Sequence, residues 1–247
     1  EYIVGPPMGH VAGALFEKSV AAGLTGVQSI TFTNLGTLQL QTGTLDLGSS
    51  MVFNNQGTVT TSAGTQLQHT NATFNYASGS TLSASGAVSC SGTGTFASSS
   101  NVAILGPASF SGTVTFAASS NLTISGPLIV TGGTVTIDAA TNFTHGGGPV
   151  TVSGGTFTMP FDFATSNLTL SGGTLTGACN ITPSAFTWSG GTMSGTGTTS
   201  VSPGVTWGIS GYVTLARALN NDGDCTWSSN GYFTINAAGT FRNRSGA

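Results

Sequence analysis

Three histidines, three cysteines and seven carboxylates are the whole stock from which this chain would build an acid–base pair, a thiolate nucleophile or a metal centre. Their spacing assembles none of these. His10, His69 and His145 share no ligand spacing such as i, i+4. Cys90, Cys179 and Cys225 form no paired CxxC knuckle, and three cysteines leave at least one without an intrachain partner. They read as small buried residues. Cleavage of acidic polysaccharides would require clustered carboxylates, for calcium or for acid catalysis, and usually a basic group beside them. Asp46, Asp138 and Asp162 stand apart, and Asp222-Gly223-Asp224 reads as a turn before it reads as a calcium ligand pair. No Ser, His and Asp set stands out. The expectation is a protein without catalytic residues, metal or cofactor, and not an enzyme.

Binding chemistry has better material. Thr113 and Thr115, Thr134 and Thr136, Thr156 and Thr158, Thr174 and Thr176, then Thr192 and Ser194, repeat a T-x-T or T-x-S pattern. On a strand, hydroxyls two residues apart point to one face about 6.7 Å apart, and equivalent strands stack about 4.8 Å apart. The result is a two-dimensional hydroxyl lattice, which resembles the flat arrays of ice-binding solenoids; exposed Thr is also simply a good strand residue. Trp188, Trp207 and Trp227 recur at nearly the same interval. Facing inward they are core, and facing outward they form a strip suited to sugar rings. N-x-[ST] acceptors occur at Asn71, Asn121, Asn142, Asn167, Asn180 and Asn243, a pattern that a chain rich in Ser and Thr also produces by chance.

What positions these residues is a repeat. NVAILGPASFSGTVTF from Asn101 is followed by NLTISGPLIVTGGTVTI from Asn121, NFTHGGGPVTVSGGTFTM from Asn142 and the shorter NLTLSGGTLT from Asn167. A Thr-led marker recurs at Thr93, Thr113, Thr134, Thr156, Thr174 and Thr192, at intervals of about twenty residues. Within each copy the apolar residues alternate with Thr or Ser, as in Val114 and Phe116 between Thr113 and Thr115. Period two means strand, with Gly or Gly-Pro turning the chain between strands. Short strands of this kind pair with their equivalents one coil later. The fold expected is all-β, a right-handed parallel β-solenoid of about 10–12 coils near 20 residues each, or about 50 Å of stack. An antiparallel sandwich or barrel is the competing architecture. It needs hairpins, and the nearest two-residue candidates, Asn230-Gly231 and Asp222-Gly223, fall in the less regular C-terminal part. The copies align His145 with Ile104, Ile124 and Leu170, so it reads as a structural histidine in an apolar column.

The ends differ from the middle. Residues 1–27 are expected to form a cap or donor segment and 28–247 a single elongated solenoid domain. In Gly9–Ala22, Val11, Leu15, Phe16 and Val20 have the spacing of a short capping helix that would end at Gly23. Glu1, Tyr2, Ile3 and Val4 are the alternative device, a strand that adds to another molecule's open edge and joins copies into a filament.

Charged residues make up only 4% of the chain, against roughly a quarter in ordinary domains, and the net charge is −3. Disorder is disfavoured by the regularly spaced apolar residues. No basic residue lies between Lys18 and Arg217, so the phosphates of nucleic acid and anionic lipid have no basic stripe to meet. No apolar run approaches the length of a membrane helix, about 18 residues. The expected partners are other copies of the chain, cell-surface glycans or ice. No cleavable signal peptide is visible at Glu1, and the absence of an initiating Met suggests a processed product or an excerpt of a longer array.

The segments Thr187–Gly211, TWSGGTMSGTGTTSVSPGVTWGISG, and Leu219–Ala247, LNNDGDCTWSSNGYFTINAAGTFRNRSGA, resemble tandem repeats of large bacterial surface proteins. These are β-helical autotransporter passengers and filamentous-haemagglutinin-like adhesins. The resemblance implies secretion, an extracellular or cell-surface location, a right-handed β-helix and an adhesive or structural role. It brings no catalytic residue. The helix-like segment near the N-terminus and Cys225 within a repeat depart from that pattern.

Overall fold

The computed structural model describes residues 2–3, 6–20, 22–228 and 230–244. The chain is an all-β parallel β-solenoid of about 11 turns, with coils about 21 residues apart and no helix among the described residues. It divides into two compact units, Glu1–Gly126 with Ile137–Thr144, and Pro127–Thr136 with His145–Ala247.

In the first unit each coil has three short sides. One side stacks Leu24–Gln28, Thr44–Gly48, Gln66–His69 and Ala87–Cys90, and the next stacks Thr31–Asn34, Val52–Asn55, Thr73–Tyr76, Thr93–Phe96 and Thr113–Phe116. A third stacks Leu15–Lys18, Thr37–Leu40, Thr58–Thr61, Thr81–Ala84, Asn101–Ile104 and Asn121–Ile124. All these pairings are parallel, because the chain returns to the same side in the same direction after each circuit. Alternation does the rest. In Thr113–Phe116, Val114 and Phe116 are fully buried while the two threonines face out.

The second unit uses longer strands that run through a corner, as in Val150–Thr158 and Leu168–Thr176. The corner is a Gly-Gly pair whose second member has positive φ: 66° at Gly155, 63° at Gly173 and 80° at Gly191. Any Cβ at Gly173 would lie 2.6 Å from the Gly154 carbonyl carbon one coil below, so the close backbone approach and the left-handed geometry both demand glycine. The third side of this unit stacks Phe163–Thr165 on Ile181–Pro183.

The capping helix is not formed. Met8–His10 and Leu15–Lys18 are strands paired with 32–34 and Thr37–Leu40. Phe16 and Lys18 turn inward, so the governing period is two; Val11, Leu15 and Val20, the intended helix face, are 66%, 55% and 93% exposed.

Inward columns are chemically graded. His10, Asn34, Asn55, Tyr76, Phe96 and Phe116 occupy one register position on successive coils. His10 Nδ1 donates to Asn34 Oδ1 at 2.7 Å, and Asn34 Nδ2 donates to Asn55 Oδ1 at 2.7 Å. Higher in the column, Phe96 and Phe116 stack at 4.7 Å and 3°. In the neighbouring column Phe53, Phe74, Gly94 and Val114 follow one another, and the Phe74 ring fills the space that a Gly94 side chain would take.

Candidate binding faces

The threonine pattern is realised as two sets of columns, one in each unit. In the first unit Thr113 stands on Thr93 and Thr73, and Thr115 on Thr95 and Asn75. In the second, Thr134, Thr156, Thr174, Thr192, Thr214 and Thr234 share one register position through six rungs. Thr136, Thr158 and Thr176 form the column beside it. Intervals between rungs vary, but the strands keep register because extra residues are taken up in turns such as 202–205. Between the two threonine columns run Val135, Phe157, Leu175, Met193 and Leu215, all buried, which hold the strand flat against the core.

The Glu1–Val4 segment is described only at its centre. Tyr2–Ile3 pairs in parallel with Gly26 and Val27 of its own chain, while Glu1 and Val4 lie outside the described residues.

The tryptophans do not form one ladder. Residue counting pairs Trp188 with Trp207, but register pairs Phe186 with Trp207 and Trp188 with Ile209. Trp207 stacks on Phe186 at 4.9 Å and donates to Asn221 Oδ1 at 2.8 Å; Trp188 is fully buried. Trp227 continues the inward column of Trp188 and Ile209, yet it is 51% exposed because no described coil covers it. Cys225 sits likewise above Trp207, exposed, whereas Cys90 and Cys179 are buried as expected.

His145 also shifts from its expected alignment, since Leu170 stands on Val152 and under Trp188. The copy that begins at Asn167 is registered with 149–158, one side further round the coil than Asn142. His145 is half-buried, with Nδ1 3.2 Å from the Ala164 carbonyl and its ring edge-on to Phe163. Burial lowers its pKa, with the Ala164 contact opposing. His69 is fully enclosed, stacked on Phe74 at 4.4 Å, with Nε2 3.2 Å from the Tyr76 hydroxyl. Desolvation lowers its pKa to about 3.

Two features escaped the sequence reading. Arg217 is 1% exposed, where its guanidinium donates to the carbonyls of Gly197 at 3.1 Å, Ser194 at 3.4 Å and Cys179. Burial raises the Cys179 pKa, and the adjacent guanidinium opposes that rise. The second is an exposed amide chain: Asn121 Nδ2 donates to Asn101 Oδ1 at 2.7 Å, and Asn142 Nδ2 to Asn121 Oδ1 at 2.9 Å. The signal was available, for each asparagine opens a repeat copy, but a first residue of a copy reads as punctuation until register shows that the amides stack.

Among the described residues, no group of three or more His, Cys, Asp or Glu converges as a metal site, and no helix is long and apolar enough to cross a membrane. Fold and faces together define a repeat-built β-solenoid with uncharged, hydroxyl- and amide-bearing outer columns. No family model matches the chain, and no curated protein or solved structure is similar to it at a significant level.

Proposed function

We propose that this chain is a non-catalytic, extracellular structural and adhesive solenoid that self-assembles end to end into filaments. The observation that carries the reading is the state of the last described rung. Its inward positions continue the core columns, yet Trp227 is 51% and Ile235 48% exposed. A second copy stacked on this rung would bury these side chains and pair the backbone edges of Asp224–Trp227, Phe233–Ile235 and Thr240–Asn243 that no described strand covers. Low charge offers little electrostatic repulsion to such stacking. Light scattering and negative-stain electron microscopy of the purified chain test the reading. Large uniform assemblies are expected, together with their loss when Trp227 and Ile235 are replaced by Ser; a monodisperse monomer at high concentration sinks it.

The six-rung threonine column favours a second reading, a flat hydroxyl face for ice. It predicts thermal hysteresis that disappears in Thr156→Lys/Thr174→Lys. A polysaccharide strip of tryptophans loses its support, because Trp188 and Trp207 are core residues.

A further inference from the structure

The third side of the first unit presents two outward columns. One runs Thr37, Thr58, Thr81, Asn101, Asn121; the other runs Gln39, Thr60, Ser83, Ala103, Thr123. Ala103 is the one position of the second column without a polar side chain. There the face dips into a shallow concavity of about 290 Å³, bordered by Thr81, Ser83, Asn101, Ala103, Asn121 and Thr123. The amide chain runs along one wall. Since Asn101 Oδ1 accepts from Asn121, the Asn101 amide NH₂ is left as the terminal donor, with no partner among the described residues.

We propose that this concavity binds a hexopyranose unit of a neutral, extended β-1,4-linked polysaccharide whose chain lies along the stack of coils. The proposal rests on the adhesive reading and names what the face holds. Four observations converge. The border carries no ionisable group, so a uronate or sulfate would lose water without gaining a cation, whereas a neutral sugar loses nothing of that kind. The Asn101 amide donates, and the hydroxyls of Thr81, Ser83 and Thr123 both donate and accept, which matches a ligand made of hydroxyls. The Ala103 methyl supplies a small apolar floor for the C–H face of a pyranose. Finally, coils repeat about every 4.8 Å, close to the length of one sugar in such a chain, so successive sugars meet successive rungs. The concavity is shallow, and one site binds in about the millimolar range; adhesion then comes from repetition along the polymer.

The test is an NMR titration with cellohexaose of the whole chain carrying Trp227→Ser and Ile235→Ser, which keep it as single copies and lie in the second unit, outside the concavity. Shifts are expected at the amides of 81–83, 101–103 and 121–123. Ala103→Leu fills the dip from the outside of the strand and should weaken binding by at least about tenfold, a loss of 1.4 kcal/mol or more by the usual conversion. Ser89→Leu, at an outward position on another side of the coil, should leave it unchanged, and circular dichroism identifies either variant that fails to fold. Absence of shifts at these rungs with tens-of-millimolar hexaose, binding indifferent to Ala103→Leu, or tighter binding of oligogalacturonate overturns the proposal. A chain that assembles but ignores the hexaose sinks this site alone, and a chain that binds the hexaose yet stays monomeric sinks only the assembly.

Discussion

His69 supplies a direct test of how the core is held. Its imidazole lies between Phe53 and Phe74, with Tyr76 at its edge, and its pKa falls from 6.5 to about 3 because burial penalises the cation. The titratable groups around it are Tyr76 and Cys90, both pushed upward by burial, so both remain neutral in acid. The sign follows from linkage. Below pH 6.5 the unfolded chain takes up a proton that the folded chain refuses, so stability is complete above that pH and drains away as pH falls toward 3. Integrated from pH 7 to pH 4, the loss is about 3 kcal/mol. Urea unfolding followed by far-ultraviolet circular dichroism measures it, with His69→Phe as the comparison. The phenyl ring keeps the stacking and loses the Tyr76 hydrogen bond at about 1 kcal/mol, a cost independent of pH. The native chain should therefore start more stable at pH 7 and end less stable at pH 4. Parallel stability curves for the two proteins would refute the argument, since every other histidine and carboxylate is shared.

Two further outcomes follow from packing. Gly94→Val drives a side chain into the Phe74 ring, whose nearest carbon is 1.9 Å from the new Cβ, and should cost about 2–3 kcal/mol, or roughly 6 °C in thermal midpoint. The double variant Phe74→Leu/Gly94→Val should lose clearly less than the sum of the singles. Arg217→Met strands the carbonyls that the guanidinium satisfies and should cost about 3 kcal/mol in urea unfolding, with Arg217→Lys nearly as damaging because one ammonium does not span all three.

The fold was legible because period-two alternation and a twenty-residue repeat leave few ways to close a core. In Gly9–Ala22 the same reasoning fails for a physical reason. Lys18 takes an inward place, and outward Val11, Leu15 and Val20 happen to recur at helical intervals. The tryptophans mislead differently: counting residues ignores where a coil absorbs its extra length, and a shift of two residues moves Trp207 from the Trp188 column to that of Phe186. The outer threonines were readable from the strand pattern alone. The concavity at Ala103 was not, since a gap exists only relative to the hydroxyls on the coils above and below it.

Repetition poses a problem that the irregular residues solve. In a stack of similar coils, a strand that slips by one whole rung meets nearly the same partners, so Thr outside and Leu or Val inside do little to define register. The graded inward column does define it. Asn55 receives the Asn34 amide below and donates to the Gly57 carbonyl at 3.1 Å and the Thr81 carbonyl at 3.3 Å, whereas a slip would set an amide against a phenyl ring with its polar atoms unpaired. Arg217 acts in the same way in the second unit. Its guanidinium lies buried among the carbonyls of Cys179, Ser194 and Gly197 and donates to all three. One rung up or down, a buried cation would lose the acceptors that make its burial tolerable. Asn34, Asn55 and Arg217 are therefore explained as devices that index the coils, a task that the repeated apolar positions around them do not perform.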